Sequence, residues 1–340
     1  MSELRWDALR RQWVILASER ASRPNEFFGT PERHPKVCPF CEGHESETLP
    51  EICAVRAPGS MPDRPGWQVR CFGNKFPAVE FGPAWPAGAP DLGCRRQGTG
   101  AHEVVVESPW HDRFLEDLDE GHVALVLGMF RERLRRLQED PRFEYVFVFK
   151  NHGAAAGASL RHPHSQIIAL PFLPLVVRTE LRGAREHLRA TGRCLFCDLV
   201  ARDADGGARL VSDDWGFSTV TPFASRFSYE LVLAPTVHAA AFDEIADGEL
   251  TLLARALMGA LRRLRGALGD SPYNLLLHTS PVRGRRGRTG EECWLREGFH
   301  WHIEILPRVG YLAGFEWGTG ESINSVPPEE AAARLRRVAL

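Results

Sequence analysis

Apolar and polar positions alternate along this chain in two distinct periods, and the same succession of periods occurs twice. The stretch "HEVVVESPWHDRFLEDLDEGHVALVLGMFRERLRRL", from His102, opens on a valine-rich run and passes through a proline-containing turn. It ends in a segment whose Val123, Leu127, Phe130, Leu134 and Leu137 recur at three-to-four spacing. The β-branched run predicts a strand, and the longer spacing predicts an amphipathic helix. "YELVLAPTVHAAAFDEIADGELTLLARALMGALRRL", from Tyr229, reads the same way. A shift of 127 residues, from His111 to His238, aligns the two without a gap. It pairs Glu103 with Glu230, Val105 with Val232, Gly121 with Gly248, and Arg135-Arg136-Leu137 with Arg262-Arg263-Leu264.

The parallel continues beyond the helices. Each is followed by another strand pattern, "YVFVF" (145–149) or "YNLLL" (273–277), and each half then reaches two histidines one residue apart. These are His162-Pro163-His164 and His300-Trp301-His302. "HWHIEIL" alternates, so a strand there places His300, His302, Glu304 and Leu306 on one side. Each half also begins with a CxxC pair, Cys38/Cys41 and Cys194/Cys197. The order CxxC, lone histidine after a strand, helix, strand, HxH therefore occurs twice, which argues for duplication of an α+β unit of about 150 residues. The expected fold is α+β, with antiparallel meanders packed on helices, in halves 1–175 and 176–340. The Pro/Gly-rich 81–93 and the basic 283–290 read as loops, and 171–193 joins the halves.

Composition changes this picture little. The 340 residues are 44% apolar and 25% charged, with a formal net charge of −2, as in a globular protein with no basic field for nucleic acid. "MSELRWDALRRQW" lacks the apolar core of a signal peptide, and no run approaches the ~20 residues of a membrane span. A cytoplasmic protein with no membrane partner is expected. In a reducing compartment, CxxC pairs point to metal or redox chemistry before disulfides.

Zinc takes four nitrogen or sulfur ligands in a tetrahedron, and a CxxC turn supplies two of them. The repeat offers the rest: His111 and His162 beside Cys38 and Cys41, and His238 and His300 beside Cys194 and Cys197. The competing reading of one CxxC, a redox pair or coincidence, weakens when both pairs have equivalent histidines downstream. A fully ligated Cys2His2 site has no open position, so two structural zinc ions are expected.

That assignment leaves His164 over. The residues before it, "NHGAAAGAS" (151–159), are almost bare of side chains, so backbone amides could approach a phosphate closely. Ser159 and Gln166 add neutral donors. A lone histidine is usually a packed one, but this setting makes His164 a candidate nucleophile. Its counterpart His302 follows the bulky "CWLREGF" and is expected to be vestigial.

At these residues the chain resembles a known family. "NHGAAAGASLRHPHSQ" resembles the active-site motif of the galactose-1-phosphate uridylyltransferases, in the histidine triad superfamily. The likeness extends through "RRQWVILASERASRP" (10–24), "CPFC", "CFGNKFPAVE" (71–80), "SPWH" (108–111) and "GFEWGTGESINSVPPEEAAARLR" (314–336). It implies two histidine-triad-like units and transfer of a nucleoside monophosphate from a nucleotide sugar to a hexose 1-phosphate through covalent attachment to His164. The resemblance also implies that Gln166 holds the phosphoryl oxygens. Arg20, Arg23, Asn74, Asn151 and Ser159 would line the nucleotide and phosphate site, Phe315 and Glu316 would lie near the sugar, and the chain would form a homodimer.

Some features depart from the uridylyltransferases. Those with an iron site use a histidine in the loop before the last HxH, and 279–299 contains none, although their acidic ligand would fall at Glu180. The second CxxC looks more like a two-zinc branch that includes an ADP-glucose:phosphate adenylyltransferase, which makes iron the lesser expectation. Gly310 stands near the position of the lysine used on the sugar phosphate. Uridylyl transfer is the main expectation, with adenylyl transfer or phosphorolysis as the alternative. A catalytically silent zinc-stapled module is the third.

Overall fold

The computed structural model describes residues 2–17, 19, 37–86, 88–281 and 291–340. Arg20, Arg23 and the basic loop 283–290 lie outside the described residues. A small sheet joins β1 (Glu3–Asp7), β2 (Gln12–Leu16) and β5 (Arg95–Gln97). The main sheet has ten strands, all antiparallel to their neighbours. From the first half come β3 (Glu51–Arg56), β4 (Trp67–Gly73), β6 (Ala101–Val106), β7 (Tyr145–His152) and β8 (His164–Leu170). The second half gives β9 (Leu210–Asp214), β10 (Phe217–Val220), β11 (Leu231–Pro235), β12 (Tyr273–His278) and β13 (His302–Pro307).

Their spatial order is β3-β4-β6-β8-β7-β12-β13-β11-β10-β9. Read inward from each edge, this is one five-strand pattern used twice, and it meets at the β7–β12 pair, where Asn151 lies opposite Asn274. The duplicated α+β architecture is as expected. The difference is that the halves share one continuous sheet: the pairing of β7 with β12 leaves neither half an edge at the junction.

Two long helices cover one face, α1 (Glu120–Gln138) and its counterpart α4 (Asp247–Leu268). The apolar spacing puts Val123, Leu127, Phe130, Leu134 and Leu137 on the buried side of α1, in one core with Leu253, Leu257, Leu261 and Leu264 of α4. Each such leucine contributes about 1.5–3 kcal/mol by leaving water. Asp119 caps α1 by accepting from His122 N, which satisfies one of the first-turn amides. The segment between the halves is mainly α2 (Leu175–Thr191), followed by α3 (Leu195–Ala204), which carries the second CxxC at its start. α5 (Glu291–Gly298) precedes β13, and α6 (Gly314–Thr319) and α7 (Pro328–Arg336) follow it.

Alternation along the strands then separates two functions. Ser165, Ile167 and Ala169 of β8 face the helices, so His164 and Gln166 face the other side. There they share a surface with His102 and Val104 of β6, because His164 lies opposite Val106 and Gln166 opposite Val104.

Candidate functional site

The two Cys2His2 sets assemble as the repeat predicts, and with nearly the same geometry. The ligand atoms of Cys38, Cys41, His111 and His162 lie within 4.8 Å of one another, as do those of Cys194, Cys197, His238 and His300. Cys41 Sγ is 3.3 Å from His111 Nδ1 and 3.6 Å from His162 Nδ1. Cys197 Sγ is 3.2 Å from His238 Nδ1 and 3.1 Å from His300 Nδ1. The histidine rings of each set stand edge to face, 5.3 Å and 89° in the first and 5.4 Å and 90° in the second.

The tautomers suit a metal. His162 Nε2–H donates to the Ser108 carbonyl at 2.8 Å, and His238 Nε2–H donates to the Arg296 carbonyl at 2.7 Å. A carbonyl can only accept, so the proton sits on Nε2 and the Nδ1 lone pair faces the sulfurs. Burial lowers the His162 pKa to about 4, which keeps the ring neutral as a ligand must be. The hydrogen bond from Cys197 holds the Cys194 thiol down, so Cys194 is the thiolate of the pair, while that same bond and burial push Cys197 up.

His164 begins β8 and is 7% exposed. Its Nδ1–H donates to the backbone oxygen of His162 at 2.8 Å, which places the neutral ring's lone pair on Nε2. The Ser108 carbonyl and the first Cys2His2 set thus hold the His162 ring, and the His162 carbonyl in turn orients His164. Phe40, inside the first CxxC, stands edge-on to His164 at 5.1 Å. Beneath, Lys150 Nζ meets Glu107 Oε2 at 2.6 Å, and Ser165 Oγ donates to the other oxygen of Glu107 at 2.6 Å. Glu107 N donates to the Pro163 carbonyl at 3.2 Å. Glu107 therefore clamps the residues on either side of His164.

A cavity of about 450 Å³ opens on this face, with His164, Gln166, Ser159 and Asn74 along one part of its wall and Phe40, Phe72, Phe76, Val104, His44 and Thr48 along another. The structure so brings His164, Gln166, Ser159 and Asn74 together.

Three expectations need correction. The small-residue stretch does not itself form the wall: only Ser159 of 151–159 reaches the cavity. Residues Ala154–Ala156 make a 3-10 turn between Gly153 (φ 76°) and Gly157 (φ 89°). A side chain at Gly153 would also meet Pro272 at 3.0 Å, so glycine is required there. Asn151 supports that turn from behind. Its Oδ1 accepts from Asn274 Nδ2 at 2.8 Å, and the same Nδ2 donates to the Ala156 carbonyl at 2.9 Å. Phe315 and Glu316 do not join the site within one chain. Phe315 is 53% exposed, and Glu316 accepts from Ala313 N at 3.0 Å to cap its own short helix.

In the second half, His302 repeats the anchoring bond, with Nδ1–H donating to the His300 carbonyl at 3.0 Å, and Phe196 repeats Phe40 at 4.9 Å. Around it, however, lies a buried cluster. His278 Nδ1 is 3.2 Å from Glu180 Oε2, its Nε2 is 3.4 Å from Glu304 Oε2, and Arg226 reaches Glu304 at 2.7 Å. Burial pushes the His278 pKa down, but hydrogen bonds and charge from Glu180 and Glu304 outweigh it and raise it to about 9. His278 ends β12, one residue before the loop 279–299, so the absence of histidine from that loop does not reveal it.

The fold, one five-strand unit used twice, and an oriented histidine that faces a cavity in the first half accord with a nucleotidyltransferase. It is 34% identical to the ADP-glucose phosphorylase of Arabidopsis thaliana over 99% of its own length and 93% of the relative's. The chain belongs to the galactose-1-phosphate uridylyltransferase family. The model of the family's N-terminal domain, "Galactose-1-phosphate uridyl transferase, N-terminal domain", matches residues 70–174. The galactose-1-phosphate uridylyltransferase of Thermotoga maritima is 28% identical over 99% of this chain and 98% of its own. Among solved structures, the Arabidopsis thaliana ADP-glucose phosphorylase with bound ADP-glucose superposes with a TM-score of 0.76 at 32% identity, over 100% of this chain and 99% of that one. A uridylyltransferase structure superposes with a TM-score of 0.78 at 30% identity, over 98% of this chain and 97% of that one.

Proposed function

We propose that the protein moves a nucleoside monophosphate between a nucleotide sugar and a hexose 1-phosphate through a covalent nucleotidyl-histidine at His164. The observation that carries this reading is the His164 Nδ1–H bond to its neighbour's carbonyl, which turns a neutral Nε2 into the nucleophilic atom. Nε2 attacks the α-phosphorus of the nucleotide sugar, the phosphoanhydride bond breaks, and hexose 1-phosphate leaves with the bonding electrons. A second hexose 1-phosphate attacks the same phosphorus and releases His164. The leaving group is already a stable anion, so no strong general acid is needed. Catalysis rests on orientation and on neutral donors, Ser159 Oγ–H and the Gln166 amide, placed where charge builds.

The main reading is UDP-glucose:galactose-1-phosphate uridylyl transfer, supported by the several uridylyltransferase relatives. A second reading, adenylyl transfer from ADP-glucose with phosphate as acceptor, is favoured by the 34% identity to the Arabidopsis phosphorylase across the whole chain. Two zinc ions would be held by the Cys2His2 sets. Their donor chemistry fits, since each set pairs two thiols with two histidines whose Nδ1 atoms converge on sulfur. Zinc there would supply a rigid structural crosslink, and its effect on the chemistry would be to hold His162. Cytoplasmic residence accords with reduced thiols at these sites. Among the described residues no helix is long and apolar enough to cross a membrane.

We also propose a homodimer. Tyr311 and Trp317 are 93% and 76% exposed around Phe315, a run of aromatics that a second copy could cover.

Mass spectrometry after incubation with UDP-glucose and, separately, ADP-glucose tests the chemistry and the base together. A uridylyl adduct on His164 is expected, an adenylyl adduct would select the second reading, and no adduct with either would overturn covalent transfer. His164→Ala should stay folded and never label.

A further inference from the structure

We infer that His102 is a positioning residue that fixes which end of the Gln166 amide faces the reacting phosphoryl group, an inference that rests on the nucleotidyl-transfer reading above. The backbone N–H of Ala78 points at His102 Nδ1 at 2.9 Å, and a backbone amide can only donate. His102 Nδ1 is therefore the unprotonated nitrogen, and the proton lies on Nε2. Nε2 is 2.9 Å from Gln166 Oε1, so His102 donates to that oxygen.

A second donor reinforces the choice. Asn74 Oδ1 accepts from Phe76 N at 2.8 Å, which turns the Asn74 amide nitrogen inward, 3.5 Å from the same Gln166 Oε1 and 3.2 Å from His102 Nε2 beside it. Two N–H donors converge on one oxygen. Gln166 and His102 are each 6% exposed, so an inverted amide would set N–H against N–H with little water to relieve it. The Gln166 Nε2 hydrogens are thereby directed away from His102 and into the cavity that holds His164. Inverted, the same side chain would present a carbonyl oxygen to an anionic phosphate.

The register explains how this is achieved. His102 lies opposite Ile168 on β8, two residues along from Gln166, on the same face of the sheet. Cross-strand diagonal neighbours are about 7–8 Å apart, within reach of long side chains. Nothing in this arrangement places His102 against substrate. It acts through Gln166.

The test is a double-mutant cycle read in single-turnover labelling of His164, with UDP-glucose, or with ADP-glucose if that is what labels the parent. His102→Asn keeps an acceptor near the Ala78 N–H but is one atom too short for Gln166. It should slow labelling about 10-fold or more, with substrate affinity changed less than about threefold, since the donor acts where charge develops. In a Gln166→Ala background the same substitution should change the rate less than about twofold, because its target is gone. His102→Phe gives a second cycle with the same expectation should the first variant not fold. Equal losses in both backgrounds would overturn the inference, as would a parent-like rate in folded His102→Asn. Failure of the parent to label with either nucleotide sugar would instead count against the transfer reading itself.

Discussion

The rings of His278 and His302 lie parallel, their centroids 4.7 Å apart and their planes 7° from coplanar. This stacking separates the halves chemically. His302 has the anchoring bond of His164 and an equivalent phenylalanine, yet one ring lies over it, and Glu304 stands two residues on, where the first half has Gln166. Burial, followed by the charge on His278, lowers the His302 pKa to about 4, so the ring is neutral but enclosed. A carboxylate in the place of an amide would also repel a phosphate.

His302→Ala should consequently keep both zinc ions and still form the nucleotidyl adduct at His164, with at most altered affinity. Removing a buried ring should cost stability, roughly 2–4 kcal/mol. Labelling and elemental analysis check this. A folded His302→Ala protein that binds nucleotide sugar and is never labelled would mean that the second half supplies chemistry.

The duplication was legible because it rests on order and spacing, which sequence displays directly. The same holds for the convergence of the two Cys2His2 sets, whose residues recur at equivalent places, and for His164, the histidine left over. The fusion of the halves was not legible: the pairing of Asn151 with Asn274 joins residues 123 apart, and strand periodicity says nothing about partners. Nor does strand periodicity show that Lys150 and Glu107, 43 apart, form a buried pair beneath the nucleophile. In sequence His102 marks only the start of a strand. The absence of side chains in 151–159 suggested a phosphate cradle, but equally permits the turn that the two positive-φ glycines build.

The two metal sites should differ in what their loss does. Cys38→Ser and Cys194→Ser should each remove one of two zinc ions and lower the melting temperature by about 5 °C or more, since ligation and folding are coupled. Only the first set includes His162, whose carbonyl anchors His164. Labelling should therefore fall about 10-fold or more in Cys38→Ser and less than about threefold in Cys194→Ser, as expected when a supporting contact is lost on one side only. Equal effects on labelling would refute the relay through His162. One zinc with one iron in the parent would direct attention to Glu180 and His278 as ligands.

A final prediction concerns pH and a carboxyl outside the site. Glu116 is 4% exposed in the turn before α1, its Oε1 is 3.6 Å from Arg265, and its Oε2 has no hydrogen-bond partner. Burial raises its pKa above the ordinary 4.5, and the opposing pull of Arg265, His152 and Lys150 does not cancel that. Between 4.5 and the higher folded value, the native chain keeps a proton that the unfolded chain releases. The stabilising contribution of this carboxyl is thus complete below the unfolded value and is lost as pH rises through the folded one. Glu116→Gln stays neutral throughout and keeps the shape. The melting temperature of the variant, relative to the parent, should rise by about 2 °C or more between pH of about 4, below the unfolded value, and about 7.5. Thermal denaturation of both proteins across that range measures the gap directly. A constant gap would mean that Glu116 titrates alike in both states, and a shrinking one that Arg265 dominates and holds the carboxylate charged.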